Sequence, residues 1–436
     1  MTQINNHILT NNNDHLMEKV VEADNLKKAL ERVERNKGSS GVDNMQVNEL
    51  RPHVIKHWSR IKQELLDGTY KPSPVRRVGI PKQDGGVREL GIPTVLDRFI
   101  QQAIQQVLTP IFEPMFSEFS YGFRPGKSAR QAVRKAQGYI QNGKRIVVDI
   151  DLEKFFDRVN HDVLMTKIEK HIGDKRIHKI IRRYLQAGVM LKGCCVRMEE
   201  GTPQGGPISP LLSNIMLNDL DHELTQRGHS FARYADDCNV YVASKRAGER
   251  VYASVTKFIE ERLKLKVNVQ KSAVDYPSKR KFLGFSFTIC QEVKLRIAPK
   301  AKMKFKEKIR QLTNRNWSIS TQARLEKLNA YLLGWSGYFG IIQTKSVLEK
   351  LDKWIRRRLR MCLLKQWKRC KTKLAKLVNL GIVEKWAGCI AFSRKQYWRL
   401  TKAPQINKAL GLAYWREQGL IRLVDRYYEL LNKTSA

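Results

Sequence analysis

The sequence predicts an α+β fold in which a mixed region of helices and strands is followed by helices alone. Up to about residue 299, short apolar or alternating runs typical of strands stand between stretches with helical spacing of apolar residues. After Pro299 only the helical spacing remains, and the chain before residue 67 is also helical in pattern. We therefore expect a mixed centre flanked by a helical N-terminal extension and a basic helical C-terminal segment.

Residues 1–66 are predicted to form a tail and a helical extension. Residues 1–16 are rich in Asn and lack apolar periodicity, whereas helical spacing begins at Met17 and continues, after a turn-rich break, to Leu66. The mixed region, 67–299, begins with a basic segment that alternates on both sides of Asp84-Gly-Gly. That composition predicts a β-hairpin.

Two carboxylate-bearing elements follow within the mixed region. Residues 146–151 have the pattern of a buried strand that ends in Asp151, and we expect a helix over 152–172 directly after it. Residues 231–243 have the pattern of two strands joined by a tight turn at Asp236-Asp237. Each element therefore presents acidic side chains at the end of a strand.

The helical remainder divides into two predicted parts. Residues 300–365 contain three amphipathic stretches, which predict a three-helix bundle. Residues 366–436 form a further basic helical unit in which aromatic residues are interleaved. Helical spacing makes most of those aromatics core residues, so none is proposed as a nucleic-acid contact.

The charge of the chain points to a polyanionic partner. Its 436 residues contain 81 Lys and Arg against 42 Asp and Glu, a formal net charge of +39. This excess is larger than solubility requires and is typical of proteins that bind nucleic acid. Residues 300–436 alone carry 32 basic and eight acidic side chains, so the C-terminal third holds most of the excess.

The compartment predicted from the sequence is a bacterial cytoplasm. The seven cysteines form an odd set without a Cys-x-x-Cys pair, which argues against a disulfide framework and against a zinc finger. No leader pattern and no uncharged run suited to a bilayer is evident, so we expect no membrane association.

The carboxylates predict a metal site. Adjacent strands would bring Asp151 close to Asp236 and Asp237, and like charges at about 4 Å repel by about 4 kcal/mol, so such a cluster requires cations. Oxygen-only ligands favour Mg²⁺, with Mn²⁺ as a substitute. Two ions about 3.5–4 Å apart are the arrangement that polymerases use.

The alternative is that Asp-Asp is ordinary turn chemistry. Asp149, two residues before Asp151, is an additional candidate that is as readily structural.

Four motifs in order resemble the palm of a reverse transcriptase. They are Val147-Val-Asp149-Ile-Asp151-Leu-Glu-Lys-Phe155-Phe156-Asp157, Gly201-Thr-Pro-Gln204-Gly-Gly, Tyr234-Ala-Asp236-Asp237 and Phe282-Leu-Gly284-Phe. Three further segments narrow the resemblance to group II intron-encoded proteins: Ile80-Pro-Lys82, Tyr121-Gly-Phe-Arg124-Pro and Asp157-Arg-Val-Asn160-His161. The chain ends in a basic helical unit without a Cys/His nuclease module, which resembles the compact group IIC type.

The resemblance implies a right-hand polymerase. Fingers and a palm with an antiparallel sheet would occupy residues 67–299, and a helical thumb, the maturase X region, residues 300–365. Residues 366–436 would form a DNA-binding-like segment. Asp151, Asp236 and Asp237 would be metal ligands, with Asp237 the least certain of the three because one of two consecutive turn carboxylates usually faces away.

The resemblance also implies roles in nucleotide binding. Phe156 would lie under the incoming sugar and exclude a 2′-hydroxyl, the alternative being a core residue. Lys82 and Arg88 would face the triphosphate across the hairpin, the alternative being solvated charges. Gln204 would pack on the incoming base pair, where glycines permit close backbone approach.

Further roles concern the leaving group, the primer and the nucleic-acid backbone. Lys271 resembles the lysine that protonates departing pyrophosphate, unless it is an ordinary surface lysine. Phe282, Leu283 and Gly284 resemble a primer grip, unless they form a turn packed on the core. The basic residues expected to track phosphates are Lys300, Lys304, Arg356, Arg357 and Arg358.

The function expected from the sequence is RNA-directed DNA synthesis, combined with maturase assistance to the splicing of a group II intron and to retrohoming. Its partners would be an RNA template with a DNA primer, dNTPs, the intron RNA and target DNA, with the protein in a ribonucleoprotein or on the nucleoid. Two alternatives stay open: a splicing cofactor without polymerase activity, and a host or defence reverse transcriptase that is not tied to an intron.

Overall fold

A computed structural model of the chain describes residues 14–81, 86–191, 194–196, 200–202 and 205–435. Residues 1–13 of the predicted tail, together with Lys82 and Gln204, lie outside the described residues, and Arg88 is described by its backbone alone. The chain forms two compact units, Met1–Tyr276 and Pro277–Ala436. No helix within the described residues is both long and apolar enough to cross a bilayer.

The first unit begins with the predicted helical extension. Its helices are α1 (Leu16–Val20), α2 (Ala23–Asn36) and α3 (Leu50–Leu66). Leu50, Ile61 and Leu65 of α3 are buried, as the sequence pattern predicts for one face of an amphipathic helix. These helices share one apolar core with the rest of the unit.

The predicted basic hairpin is present. Strand β1 (Val75–Pro81) runs antiparallel to β2 (Val87–Ile92), with Ile80 opposite Arg88. These strands belong to a four-stranded sheet in the order β2-β1-β4-β5, completed by β4 (Val189–Leu191) and β5 (Cys194–Val196). Arg88 is therefore a residue of strand β2, and Lys82 follows β1 in the sequence.

A second four-stranded sheet carries the acidic residues. Its order is β6-β7-β3-β8 and all of its pairings are antiparallel. The strands are β3 (Ile146–Ile150), β6 (Ser230–Tyr234), β7 (Asp237–Val242) and β8 (Ala273–Asp275). The inner strands read as apolar runs because both faces are covered.

Helices surround the two sheets of this unit. They are α4 (Val95–Phe112), α5 (Ala129–Gln141), α6 (His161–Glu169), α7 (Lys175–Gln186), α8 (Ser209–Gln226) and α9 (Lys245–Arg262).

The helix predicted over 152–172 is wrong at both ends, because only His161–Glu169 is α-helical. Lys154 has a positive φ of 47°, and a 3₁₀ turn follows at Phe155–Asp157. The helix itself starts only at His161, where the Asn160 side chain caps it by accepting a hydrogen bond from Val163 N at 3.0 Å.

The second unit starts with a small sheet of β9 (Phe285–Phe287) and β10 (Leu295–Ile297), which are antiparallel. The three predicted bundle helices follow as α10 (Pro299–Leu312), α11 (Thr321–Phe339) and α12 (Ser346–Gln366). Phe305 of α10 packs on Trp335 of α11 with ring centroids 4.3 Å apart.

The last part of the chain is helical, as predicted. Its helices are α13 (Cys370–Asn379), α14 (Glu384–Ala391), α15 (Tyr397–Leu400), α16 (Pro404–Ala409), α17 (Leu412–Glu417) and α18 (Leu423–Ser435). The start of α18 is tied to α12, because buried Asp352 accepts hydrogen bonds from Leu423 N at 3.0 Å and Val424 N at 3.2 Å.

Candidate active site

The register of the β6-β7-β3-β8 sheet brings the predicted metal ligands to one end of that sheet. In the antiparallel pair β3–β7, Ile150 lies opposite Cys238. One residue further along each strand, Asp151 and Asp237 therefore stand level with each other. Asp236 immediately precedes β7 in the connection from β6.

The Asp-Asp turn is tight and conformationally unusual. Tyr234 pairs with Asp237, which leaves Ala235 and Asp236 as a two-residue turn. Ala235 has a positive φ of 56°. A positive φ at the first turn position is a feature of type II′ hairpins, where glycine is usual because an L side chain is strained there.

Asp151 is held through its backbone by the segment before β8. Its N–H donates to Ser272 Oγ at 3.0 Å, and its carbonyl accepts from Asn268 N at 2.8 Å. The same segment carries Lys271, whose Nζ lies 3.8 Å from Asp151 Oδ2. The structure therefore places the predicted proton donor beside a predicted metal ligand.

The donor chemistry of this site suits a hard divalent cation, because its carboxylates supply oxygen ligands alone. Within the described part of the chain, no group of three or more His, Cys, Asp or Glu side chains stands close enough together to hold a metal ion. The backbone brings Asp151 and Asp237 to the same strand ends, so side-chain rotation is what would close the ligand set.

The turn that contains Phe156 is bound to the residues that lead into the Gln204 loop. Phe156 O accepts from Thr202 N at 2.5 Å, and Val159 O accepts from Gly201 N at 2.8 Å. Buried His161 contacts Gly201 O through Nε2 at 2.6 Å, so this nitrogen must carry the proton. Backbone hydrogen bonds thus join the turn that contains Phe156 to the segment Gly201–Thr202, which precedes Gln204 in the sequence.

Glycine is required at position 201 of this assembly. Its φ is +94°, and a Cβ built on it would stand 2.9 Å from the carbonyl oxygens of both Phe156 and Asp157. The half-buried Phe156 ring packs edge-on against Phe155, with centroids 5.1 Å apart. Its contact with Phe155 fits a core residue, and its partial exposure fits a residue that touches the incoming sugar.

The predicted primer grip lies in the second unit as a tight turn. Phe282 and Phe285 exchange backbone hydrogen bonds of 3.0 and 2.9 Å around Leu283 and Gly284, whose φ values are 51° and 82°. Tyr338 of α11 donates through its hydroxyl to Leu283 O at 2.9 Å. The turn is therefore held by a helix of the bundle.

The five basic residues predicted to track phosphates differ in their surroundings. Lys300 and Lys304 are exposed on α10. Arg357 lies 3.8 Å above the Trp398 ring and donates to Thr401 Oγ1 at 3.1 Å, and Arg358 donates to Thr313 Oγ1 at 2.9 Å. Arg356 is half-buried. The lysines are thus more available to a phosphate than the arginines, whose role stays a prediction.

The residues behind the Asp-Asp turn were not predicted from the sequence. Arg233 and Asp221 form a fully buried ion pair, and Arg233 also donates to Ala235 O at 2.9 Å. The available signal was a charged residue within the apolar strand 231–234 and an acid on an apolar helix, since unpaired charges are almost never buried.

Two family models match the chain. Residues 80–287 match "Reverse transcriptase (RNA-dependent DNA polymerase)", and residues 302–378 match "Group II intron, maturase-specific domain". The first match contains the aspartates and the primer-grip turn, and the second covers most of the three-helix bundle.

Curated relatives carry similar sequences. Protein YkfC of Escherichia coli is 31% identical over 326 residues, which cover 66% of this chain and 84% of that protein. The group II intron-encoded protein LtrA of Lactococcus lactis is 35% identical over 208 residues, which cover 47% of this chain and 34% of LtrA. The putative COX1/OXI3 intron 2 protein of Saccharomyces cerevisiae is 29% identical over 246 residues, covering 54% of this chain and 28% of that protein. The chain thus spans about a third or less of the two intron proteins that it matches.

Proposed function

This chain belongs to the reverse transcriptase family and carries a group II intron maturase-specific domain, and on that premise we propose how and on what it acts. Reverse transcriptases generally use divalent metal ions, and the two domains imply binding of an RNA template and of intron RNA. The proposed reaction is nucleotidyl transfer from a dNTP to the 3′-hydroxyl of a primer paired with RNA.

The observation that carries the proposal is the register of β3 against β7. It sets Asp151 level with Asp237 at the end of the sheet, with Asp236 in the adjoining turn. Carboxylates at this end of the sheet would hold the metal ions of phosphoryl transfer, in which charge develops on both the attacking and the leaving oxygen.

Asp151, Asp236 and Asp237 would hold two Mg²⁺ ions, for which Mn²⁺ can substitute. When bound, the ions would lower the pKa of the primer hydroxyl and neutralise the leaving pyrophosphate. Lys271 would supply the proton that pyrophosphate takes up, and its ammonium 3.8 Å from Asp151 supports that role.

The remaining nucleotide contacts follow the same scheme. Phe156 would exclude the 2′-hydroxyl, and Gln204 would lie on the base pair beyond the Gly201–Thr202 segment. Lys82 and Arg88 would bind the triphosphate. The hydrogen bonds that join the Phe156 turn to Gly201 and Thr202 support a single nucleotide-binding assembly.

We assign the maturase role to residues 300–436 and their excess of basic residues. Lys300 and Lys304 are exposed there, and phosphate contacts of this type fix position on folded RNA without reading its sequence. The intron RNA, and target DNA during retrohoming, are the proposed partners. The primer-grip turn Phe282–Gly284 would hold the primer end.

Primer extension on an RNA template tests the polymerase proposal. The wild-type protein is expected to extend a DNA primer with Mg²⁺, and Asp236→Asn is expected to abolish extension. Asp162→Asn is the matched control. It also replaces one aspartate by asparagine, but on α6, where the Asp162 side chain is 81% exposed in a surface ion pair. A folded wild-type protein that does not extend the primer would refute the proposal.

Splicing separates the second activity from the first. Because RNA binding by phosphate contacts needs no catalytic carboxylate, Asp236→Asn is expected to splice the intron RNA as wild type does. Loss of splicing in this variant, with an unchanged melting temperature, would contradict the separation of the two roles.

A further inference from the structure

The backbone of the Asp-Asp turn needs support from outside the turn. Ala235 is not glycine, and its φ of 56° places an L side chain in the left-handed region, where it is strained. Such a conformation persists only where surrounding groups impose it. The structure shows two groups that do so, a buried guanidinium and a glycine.

The guanidinium of Arg233 uses all of its donors. Its Nη1 donates to Ala235 O at 2.9 Å and to Asn214 Oδ1 at 3.2 Å, and its Nη2 donates to Ser120 Oγ at 2.8 Å. The carboxylate of Asp221 accepts the remaining two bonds, from Nε at 2.7 Å and from Nη2 at 2.5 Å. Five N–H groups thus meet five acceptors, which no other side chain can reproduce.

The burial of the Arg233–Asp221 ion pair costs desolvation free energy, so stability alone does not explain why a charged pair lies here. Both side chains have 0% exposure. Desolvation offsets most of the attraction within a buried ion pair, so an apolar replacement is often as stable. What an apolar side chain would lack is the directed donor to Ala235 O. The bond to the turn is therefore the property that distinguishes Arg233 from ordinary core residues.

Gly122 closes the turn from the other side. A Cβ at this position would stand 2.3 Å from Ala235 N and 3.0 Å from Tyr234 C, which are backbone atoms that cannot rotate away. Gly122 O in turn accepts from Asn214 Nδ2 at 2.9 Å, and Tyr121 N donates to Arg233 O at 2.9 Å. The Tyr121-Gly-Phe-Arg124 motif therefore lies directly against the turn.

We propose that Arg233 is a positioning residue, which together with Asp221 and Gly122 sets the backbone of Ala235 and hence the direction in which Asp236 and Asp237 present their carboxylates. This inference rests on the proposed function, in which those carboxylates bind the metal ions. It assigns Gly122 of the Tyr-Gly-Phe-Arg motif to the support of the turn.

Two variants test the proposal from opposite sides. Arg233→Lys keeps the charge beside Asp221 but has too few donors for Ala235 O and the other acceptors together. Gly122→Ala leaves the ion pair intact and must displace the turn backbone by about 1 Å, a misplacement that can reduce turnover about 100-fold. If Arg233→Lys does not fold, Gly122→Ala alone decides the test.

The control is Asp97→Asn. Asp97 is also buried in the same unit, and it accepts hydrogen bonds from Tyr70, Thr94 and Tyr184, none of which belongs to the turn. It is expected to lower the melting temperature without affecting metal binding. It therefore separates loss of stability from loss of positioning.

The readout is direct metal binding as well as activity. Fe²⁺ with ascorbate and peroxide cleaves a polypeptide near the bound ion, so wild type is expected to be cut near residues 151 and 236. Both test variants are expected to lose this cleavage, to need at least about threefold more Mg²⁺ for half-maximal extension and to lose kcat more than they raise KM.

The outcomes distinguish this inference from the proposed function. If both variants keep wild-type cleavage and Mg²⁺ dependence while Asp236→Asn loses both, the positioning role is refuted and the proposed function stands. If Asp97→Asn loses cleavage to the same degree, the effect is general destabilisation and the positioning role is also refuted. A wild-type protein that neither extends a primer nor is cleaved at these residues would refute the proposed function itself.

Discussion

Gly201→Ala should impair nucleotide binding through the backbone alone. The φ of +94° disfavours any L side chain by about 1–2 kcal/mol. The new Cβ would also stand 2.9 Å from the carbonyl oxygens of Phe156 and Asp157. Relief of that overlap requires about 0.5 Å of movement, and overpacking of this type costs about 1–3 kcal/mol. The free energy of unfolding should therefore fall by about 2–5 kcal/mol.

The kinetic effect should fall on the incoming nucleotide. The hydrogen bonds of Gly201 N to Val159 O and of Thr202 N to Phe156 O join the two elements that would contact the dNTP. Because Gly201→Ala pushes them apart, the KM for dNTP is expected to rise about tenfold, since sub-ångström misplacement weakens an oriented site. Steady-state incorporation of a single nucleotide measures this KM.

The matched control is Gly143→Ala. Gly143 has a similar φ of +85°, but a Cβ there would meet nothing within 4 Å. It should reproduce the conformational part of the stability loss, about 1–2 kcal/mol, and leave the KM unchanged. Equal stability losses for the two variants would show that the overlap of the Gly201 Cβ with the carbonyl oxygens of Phe156 and Asp157 costs nothing. A wild-type KM for dNTP in both variants would refute the proposal that the Phe156 turn and the Gly201–Thr202 segment bind the nucleotide together.

Three further predictions concern the sugar, the phosphates and the C-terminal helix. Phe156→Val should admit ribonucleotides, lowering the ratio of kcat/KM for dNTP over rNTP at least about tenfold in primer extension; an unchanged ratio would remove the assignment. Replacing Lys300 and Lys304 together by Ala should reduce the slope of log affinity against log salt by about two in duplex-binding titrations, and an unchanged slope would exclude phosphate contacts there. Burial raises the pKa of Asp352 to about 6, despite its hydrogen bonds from Leu423 and Val424. The folded state thus holds this proton more tightly than the unfolded state, so stability present below about pH 4 should fall by about 3 kcal/mol as the pH rises through 6. Asp352→Asn should flatten that dependence in denaturant unfolding, and a parallel pH profile would contradict it.

The fold class was predictable because most individual elements show one clear spacing of apolar residues, either that of a strand or that of a helix. The run Ile146–Ile150 is short, apolar and β-branched, and it forms the predicted strand. The helix expected over 152–172 failed because apolar spacing cannot reveal the left-handed Lys154 that interrupts it. The turn that follows Lys154 is bound to a segment remote in the sequence, through the hydrogen bond from Thr202 N to Phe156 O, and apolar spacing carries no signal of such a contact.

The acidic residues of the site were visible in the sequence, but their supporting residues were not. Strand endings and a turn motif indicate Asp151 and Asp236 locally. The role of Arg233 depends on Asp221 and on Gly122, which stands more than 100 positions earlier, and no periodicity connects them. The relevant signal was the presence of a charged residue, Arg233, within an apolar strand. Residues that break the local sequence pattern in this way are expected at functional sites.

The two units solve one structural problem in the same way. Each contains a tight turn with a non-glycine residue at positive φ, Ala235 in the first unit and Leu283 in the second. In both, a side chain donates a hydrogen bond to the carbonyl of that residue, from Arg233 Nη1 and from the Tyr338 hydroxyl, each at 2.9 Å. A strained residue whose carbonyl is fixed in this way has one orientation available, whereas a glycine would have several. The strain at these turns therefore acts as a constraint on direction, which the donors Arg233 and Tyr338 help to impose.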